Sequence, residues 1–151
     1  MPPALPDEGL LRMLQPLIGR WRTTGRVLDA NGRQVATVEG SDSYRWMPGR
    51  RWVVHEVDVT MGGEHVQVLE MIGGAGETPG TIAMRAFDAS GDYGVMSLAA
   101  LPDGALLLSG DGVRSVLRPA ADGASMRAHW EQEAGPDRWV PWMEMEFARI
   151  G

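Results

Sequence analysis

Turn signals recur along this chain at intervals of roughly 10–14 residues, and that spacing constrains the fold more than any other feature. From Gly19 onward the turns are Asn31-Gly32, Met47-Pro48-Gly49, Gly62-Gly63, a Gly-rich stretch at 73–80, Ala89-Ser90-Gly91, Pro102-Asp103-Gly104, Asp111-Gly112, Asp122-Gly123 and Gly135-Pro136-Asp137. Between them, apolar and polar residues alternate with period two, the pattern of a half-buried strand. The spacing predicts strands at 20–29, 33–47, 51–61, 64–72, 81–88, 92–101, 105–110, 113–118, 124–134 and 138–150. Hairpin-length connections leave no room for parallel crossovers. An open meander of this length would expose long edges, and closure removes them. The expected fold class is therefore all-β: a ten-stranded antiparallel up-and-down barrel. It forms a single domain over 7–151, with 1–6 as a flexible N-terminus.

One short helix precedes the barrel in this reading. Asp7 is placed to cap it and Glu8 sits in its first turn, where a negative charge suits the helix dipole. Leu10, Leu11, Leu14, Leu17 and Ile18 share a face at helical spacing. Pro16 is expected to bend or stop the helix, and Gly19 to end it. Asn31-Gly32 reads as a type I′ hairpin.

Composition narrows the function. The chain has no Cys, which excludes disulfides, thiolate metal sites and Cys nucleophiles. It also has no Lys; all 14 basic residues are Arg, so Schiff-base chemistry and a Walker-type phosphate loop are excluded. A net charge of −6 disfavours a nucleic-acid partner. No apolar run approaches the ~20 residues of a membrane helix, and the first residues lack the features of an export signal. The expectation is a cytoplasmic protein with neither nucleic acid nor membrane as partner; a homodimer is compatible with it.

Strand parity nominates the lumen. On the last strand Trp139, Pro141, Met143, Met145, Phe147 and Arg149 form the more apolar face and are expected to point inward. Met126, Ala128, Trp130 and Gln132 do so on 124–134, and Ala36, Val38, Tyr44 and Trp46 on 33–47. Val53, His55, Val57, Val59 and Met61 share the apolar face of 51–61, with His55 its one ionisable group. The strand at 64–72 is ambiguous between Val66, Val68, Ile72 and Leu69, Met71. The expected pocket lies at the end opposite the helix, lined by Trp46, His55, Val57, Trp130, Trp139 and Met143. Trp and Met offer broad, adaptable apolar contact, which suits a planar or hydrophobic small molecule.

Gly19-Arg20-Trp21 begins the first strand after a short helix, and Arg149 lies two residues from the chain end. With Tyr44-Arg45-Trp46-Met47-Pro48-Gly49-Arg50-Arg51-Trp52, Met84-Arg85-Ala86-Phe87-Asp88-Ala89-Ser90-Gly91 and Trp139-Val140-Pro141-Trp142-Met143, these stretches resemble the calycin superfamily. Within it, the chain looks most like a bacterial family of stand-alone lipocalin- and nitrobindin-like barrels with no settled activity. The resemblance implies that Trp21 packs at the closed end with Arg149 stacked over it, a contact of about 0.5–2 kcal/mol. Related haem-carrying barrels use a His near the C-terminus and a Gly-x-Trp-x-Gly-x-Gly start. Here the last strand has no His and the start is Gly-x-Trp-x-x-x-Gly, so no cofactor is expected.

Three functions from different classes follow. The first is binding of a hydrophobic or planar small molecule in the barrel. The second is a cofactor-independent cyclase or isomerase that uses the barrel as a template, with His55, Tyr44, Arg85 and Tyr93 as candidate catalytic groups and the His55 pKa lowered by desolvation. The third is a packed structural or interaction domain. No Gly-x-Ser-x-Gly elbow accompanies Ser41 and Ser43, which read as strand or turn residues. His55 and His65 read as near neighbours across Gly62-Gly63, and with Glu39 or Glu70 they would form a metal set; exposed cross-strand His is the preferred reading, and no metal is expected. Glu56-x-Asp58 and Glu144-x-Glu146 fall on outer faces. No helix follows Gly73-Gly74-Ala75-Gly76, which reads as a flexible mouth loop and not a phosphate cradle.

Overall fold

The computed structural model describes residues 8–151. The expected flexible segment 1–6 and the expected cap Asp7 lie outside the described residues. A one-and-a-half-turn helix α1 (Glu8–Arg12) and a 3-10 turn (Gln15–Leu17) lead into ten strands. These are β1 (Gly19–Leu28), β2 (Gln34–Trp46), β3 (Trp52–Met61), β4 (Glu64–Ala75), β5 (Ile82–Asp88), β6 (Tyr93–Ala100), β7 (Leu106–Gly110), β8 (Val113–Pro119), β9 (Ser125–Gly135) and β10 (Arg138–Arg149). Each strand pairs antiparallel with its chain neighbours, and β1 pairs with β10, so the sheet closes into a barrel. No described helix is long and apolar enough to cross a membrane.

Three local expectations are corrected. The helix stops at Arg12, ahead of Pro16, which sits in the first turn of the 3-10 segment where its missing N–H costs nothing; Gly19 is the first residue of β1. The first hairpin is not type I′: Gly32 has positive φ but Asn31 does not. Asp29 instead closes a longer loop, its carboxylate accepting from the Asn31 and Arg33 N–H groups. Gly73, Gly74 and Ala75 belong to β4 and not to a loop. The flat Trp52 ring lies where a side chain on Gly73 would stand, so glycine there admits the indole.

The hairpins put α1, the chain end and the turns after β2, β4, β6 and β8 at one end of the barrel. This end is packed solid. Leu14, Leu17, Trp21, Val53, Ile72, Ile82 and Leu98 are all fully buried, and Met126 nearly so. The Trp21 indole N–H donates to the Leu17 carbonyl at 2.9 Å. The Arg149 guanidinium carbon lies 4.2 Å from the Trp21 ring centroid. The same guanidinium donates to the carbonyls of Ile18 at 2.8 Å and Gly123 at 2.7 Å. Gly19 (φ +139°) is required here, because a Cβ would collide with the Arg149 guanidinium.

Candidate functional site

Above the packed end the side chains do not fill the lumen. A cavity of about 240 Å³ runs along the barrel axis. Its walls are apolar: Val57, Val59, Met61, Val66, Val68 and Met96 on one side, Leu108, Leu117, Trp130, Met143 and Met145 on the other. Val57, Met61, Val66, Val68, Met96 and Trp130 are only half-buried, although they are inward-facing residues of the sheet. The third expectation, a barrel filled by its own side chains, does not describe this lumen.

One part of the wall is polar. His55 (β3) lies between two carboxylates on adjacent strands. Its Nδ1 is 2.9 Å from Glu70 Oε1 and its Nε2 is 2.6 Å from Asp42 Oδ2. The Thr23 hydroxyl donates to the other Asp42 oxygen at 2.5 Å. Tyr44 stacks on the imidazole, with centroids 3.9 Å apart and planes 8° from parallel. Register explains the assembly: Tyr44 is the β2 partner of His55 and Glu70 its β4 partner, while Asp42 and Tyr44 share the inward parity of β2. All five side chains line the cavity.

This environment reverses the expected shift of His55. Burial alone lowers its pKa, but hydrogen bonds to Asp42 and Glu70 and their negative charges outweigh it, raising the pKa to about 9. At neutral pH the ring is an imidazolium that donates from both nitrogens. Burial, then the charges of Asp42 and Glu70, push the Tyr44 phenol well above its ordinary value, so it stays protonated. Ser115 (β8) is 1 % exposed and lines the same cavity, and its hydroxyl has no hydrogen-bond partner among the described residues. An unpaired buried hydroxyl costs about 1–3 kcal/mol, so it marks a place where the fold alone does not satisfy its own chemistry.

The structure brings together four of the six expected pocket residues. His55, Val57, Trp130 and Met143 line the cavity; Trp46 and Trp139 do not. Trp46 ends β2 at the helix-covered end, where its indole donates to Gln15 Oε1 at 3.1 Å. Trp139 is turned outward by a bulge. Pro141 pairs with Glu131 but Met143 pairs with Trp130, leaving Trp142 as the extra residue. Parity inverts there: Trp139 and Pro141 share the face of Glu133 and Glu131, and the Arg114 guanidinium lies 4.1 Å from the Trp139 centroid. Trp142 meets Trp130 edge-on at 5.7 Å.

Of the expected catalytic candidates, His55 and Tyr44 share the polar wall, whereas Arg85 and Tyr93 lie outside the cavity lining. Arg85 pairs with Val95 and Met71 on the outer face. Tyr93 is 57 % exposed beside Phe87. His55 and His65 are not neighbours. The hairpin centre sets His55 opposite Glu70 and His65 opposite Thr60, and His65 bonds Asp58 on the outer face. Both nitrogens of His55 point at carboxylates, so no metal set forms there, and no such cluster occurs among the described residues. A haem does not fit these residues either: β10 offers no His, and His55 has no free nitrogen.

Asp42, Glu70, Thr23 and Ser115 were not on the expected pocket list. Parity from Val38 to Tyr44 places Asp42 inward, and counting outward from Gly62-Gly63 places Glu70 opposite His55. Both signals are in the sequence; Ser115 and Thr23 carry none beyond parity.

Residues 11–74 match the family described as "Protein of unknown function (DUF1579)". No curated protein matches the chain. Among solved structures, Rv2717c from M. tuberculosis superposes with a TM-score of 0.62 at 12% identity, covering 94% of this chain and 98% of that one. A de novo designed fluorescence-activating β-barrel gives 0.49 at 12% identity, covering 90% and 95%. At such identities the likeness to Rv2717c is one of fold: a barrel of the same kind.

Proposed function

We propose that this protein binds a small, mostly apolar molecule inside the barrel. The observation that carries the reading is the cavity itself: about 240 Å³ of lumen, walled by Val and Met and left open beside a packed end. A dry engineered cavity of roughly 150 Å³ accepts benzene, so this one suits a guest of about ten non-hydrogen atoms. That is far fewer atoms than a tetrapyrrole carries. A guest of this size binds with a Kd on the order of 0.1 mM if each atom contributes about 0.5 kcal/mol. Five cavity methionines provide an adaptable wall. We read the barrel as calycin-like on the Gly19, Trp21 and Arg149 closure, in keeping with the resemblance of its motifs.

Binding is favoured over catalysis by the state of His55. Its nitrogens are both committed to carboxylates, so it holds no free site for exchanging a proton with a substrate. The test is a fluorescence titration with propylbenzene. One of six Trp residues, Trp130, lines the cavity, so saturable quenching is expected and should vanish in Trp130→Phe. A cavity-filling Val57→Phe variant should lose binding while keeping its circular-dichroism spectrum. Absence of saturable binding by propylbenzene and by its polar-headed analogues would defeat the container reading.

A further inference from the structure

We propose that the cavity selects an amine: an apolar body whose ammonium group docks against Glu70 and Asp42. The inference rests on the container reading above and specifies the headgroup. Two carboxyl groups face one imidazolium, which gives the cluster a formal charge of −1. No Arg lines the cavity among the described residues, so nothing in the wall balances that charge. A buried charge without a partner is costly, and proteins keep such charges where a partner arrives.

The hydrogen-bonding inventory points the same way. Glu70 uses Oε1 for His55, and its Oε2 takes no hydrogen bond from any described residue. Asp42 is occupied at both oxygens by His55 and Thr23, yet each oxygen keeps a second lone pair. The Ser115 hydroxyl, also unpartnered, belongs to β8 on the other side of the barrel and is no part of this headgroup site. An ammonium carries three N–H donors, and the free Glu70 Oε2 can accept one of them. A carboxylate guest would meet the cluster's excess negative charge in a medium of low polarity, where repulsion is strong.

The experiment compares four guests of matched size by calorimetry at pH 7.5: propylbenzene, 2-phenylethanol, 2-phenylethylamine and 3-phenylpropionate. The amine is expected to bind at least 10-fold tighter than propylbenzene, with the alcohol between them and the acid without measurable affinity. Glu70→Gln keeps the shape of the wall and removes one charge. It is expected to weaken the amine about 10-fold and to leave the alcohol within 2-fold. Asp42→Asn serves the same purpose if Glu70→Gln fails to fold. Should propylbenzene bind but the amine gain nothing, or the acid bind best, the headgroup assignment is overturned and the container reading stands. Should none of the four bind, both fall.

Discussion

At the closed end of the barrel every buried group has what it needs. Leu14, Leu17, Ile72, Ile82 and Leu98 fill the space around Trp21, whose one polar atom donates to Leu17 and whose face carries Arg149. A few residues further along the same strands, the wall is loosely packed, one imidazole is set between two carboxyl groups, and the Ser115 hydroxyl is orphaned. The strands are continuous, so the difference is one of side chains. Bulk and complete pairing stabilise the fold at one end. At the other, volume and pairing are withheld, which is the signature of a site and not of a core.

Breaking the closed end should produce the largest effect. Trp21→Ala leaves a cavity in the best-packed region and is expected to destabilise the protein by about 3–5 kcal/mol in a urea titration. A loss under 0.5 kcal/mol would show that Trp21 does not organise this end.

The polar cluster should show itself next, through pH. His55 titrates at about 9 in the folded state and near 6.5 when unfolded, so the folded state holds its proton more tightly. Its contribution is full below pH 6.5 and disappears as pH rises through 9, a loss of about 3 kcal/mol over that window. The groups facing it are Asp42, Glu70 and Tyr44. Urea titrations at a series of pH values should trace this fall, and His55→Gln should flatten it. A parent profile with no decline between pH 6.5 and 9 would contradict the paired imidazolium.

Smaller effects sharpen the contrast. Arg149→Ala removes the stacking and three carbonyl contacts at the closed end and is expected to cost about 1–2 kcal/mol in the same titration. Ser115→Ala removes an unpaired buried hydroxyl and is expected to be neutral or to stabilise by up to about 1 kcal/mol. A destabilisation beyond 1 kcal/mol would mean that the hydroxyl has a structural partner.

Much of the fold was legible because hairpin turns and period-two alternation are local signals. The ten strands fall close to the residues that punctuation and parity assign. The site was legible only where parity stayed unbroken. His55, Val57 and Met143 follow it directly. Trp139 does not, because the extra residue at Trp142 inverts the faces of β10, and a one-residue bulge leaves no unambiguous trace in a run of apolar residues. Trp46 has the right face but the wrong depth: parity says which side of a sheet a residue takes, not how far along the axis it lies. Hydropathy assigns no inward role to Asp42, and Glu70 joins His55 only in an unfavoured metal set, because a carboxylate on an inward face contradicts the expectation of an apolar lumen. Their burial is explained by His55, a pairing between strands that hydropathy does not register.

The most direct test of an open, ligand-binding lumen uses the methionines. Met61, Met84, Met96, Met143 and Met145 line the cavity; Met13, Met47 and Met71 do not. With methyl-labelled methionine, titration of 2-phenylethylamine or propylbenzene should shift the cavity methyl resonances in a saturable way and leave Met13, Met47 and Met71 in place. Shifts centred on Met71 or Met47, or an unchanged spectrum at saturating guest, would contradict a binding chamber inside this barrel.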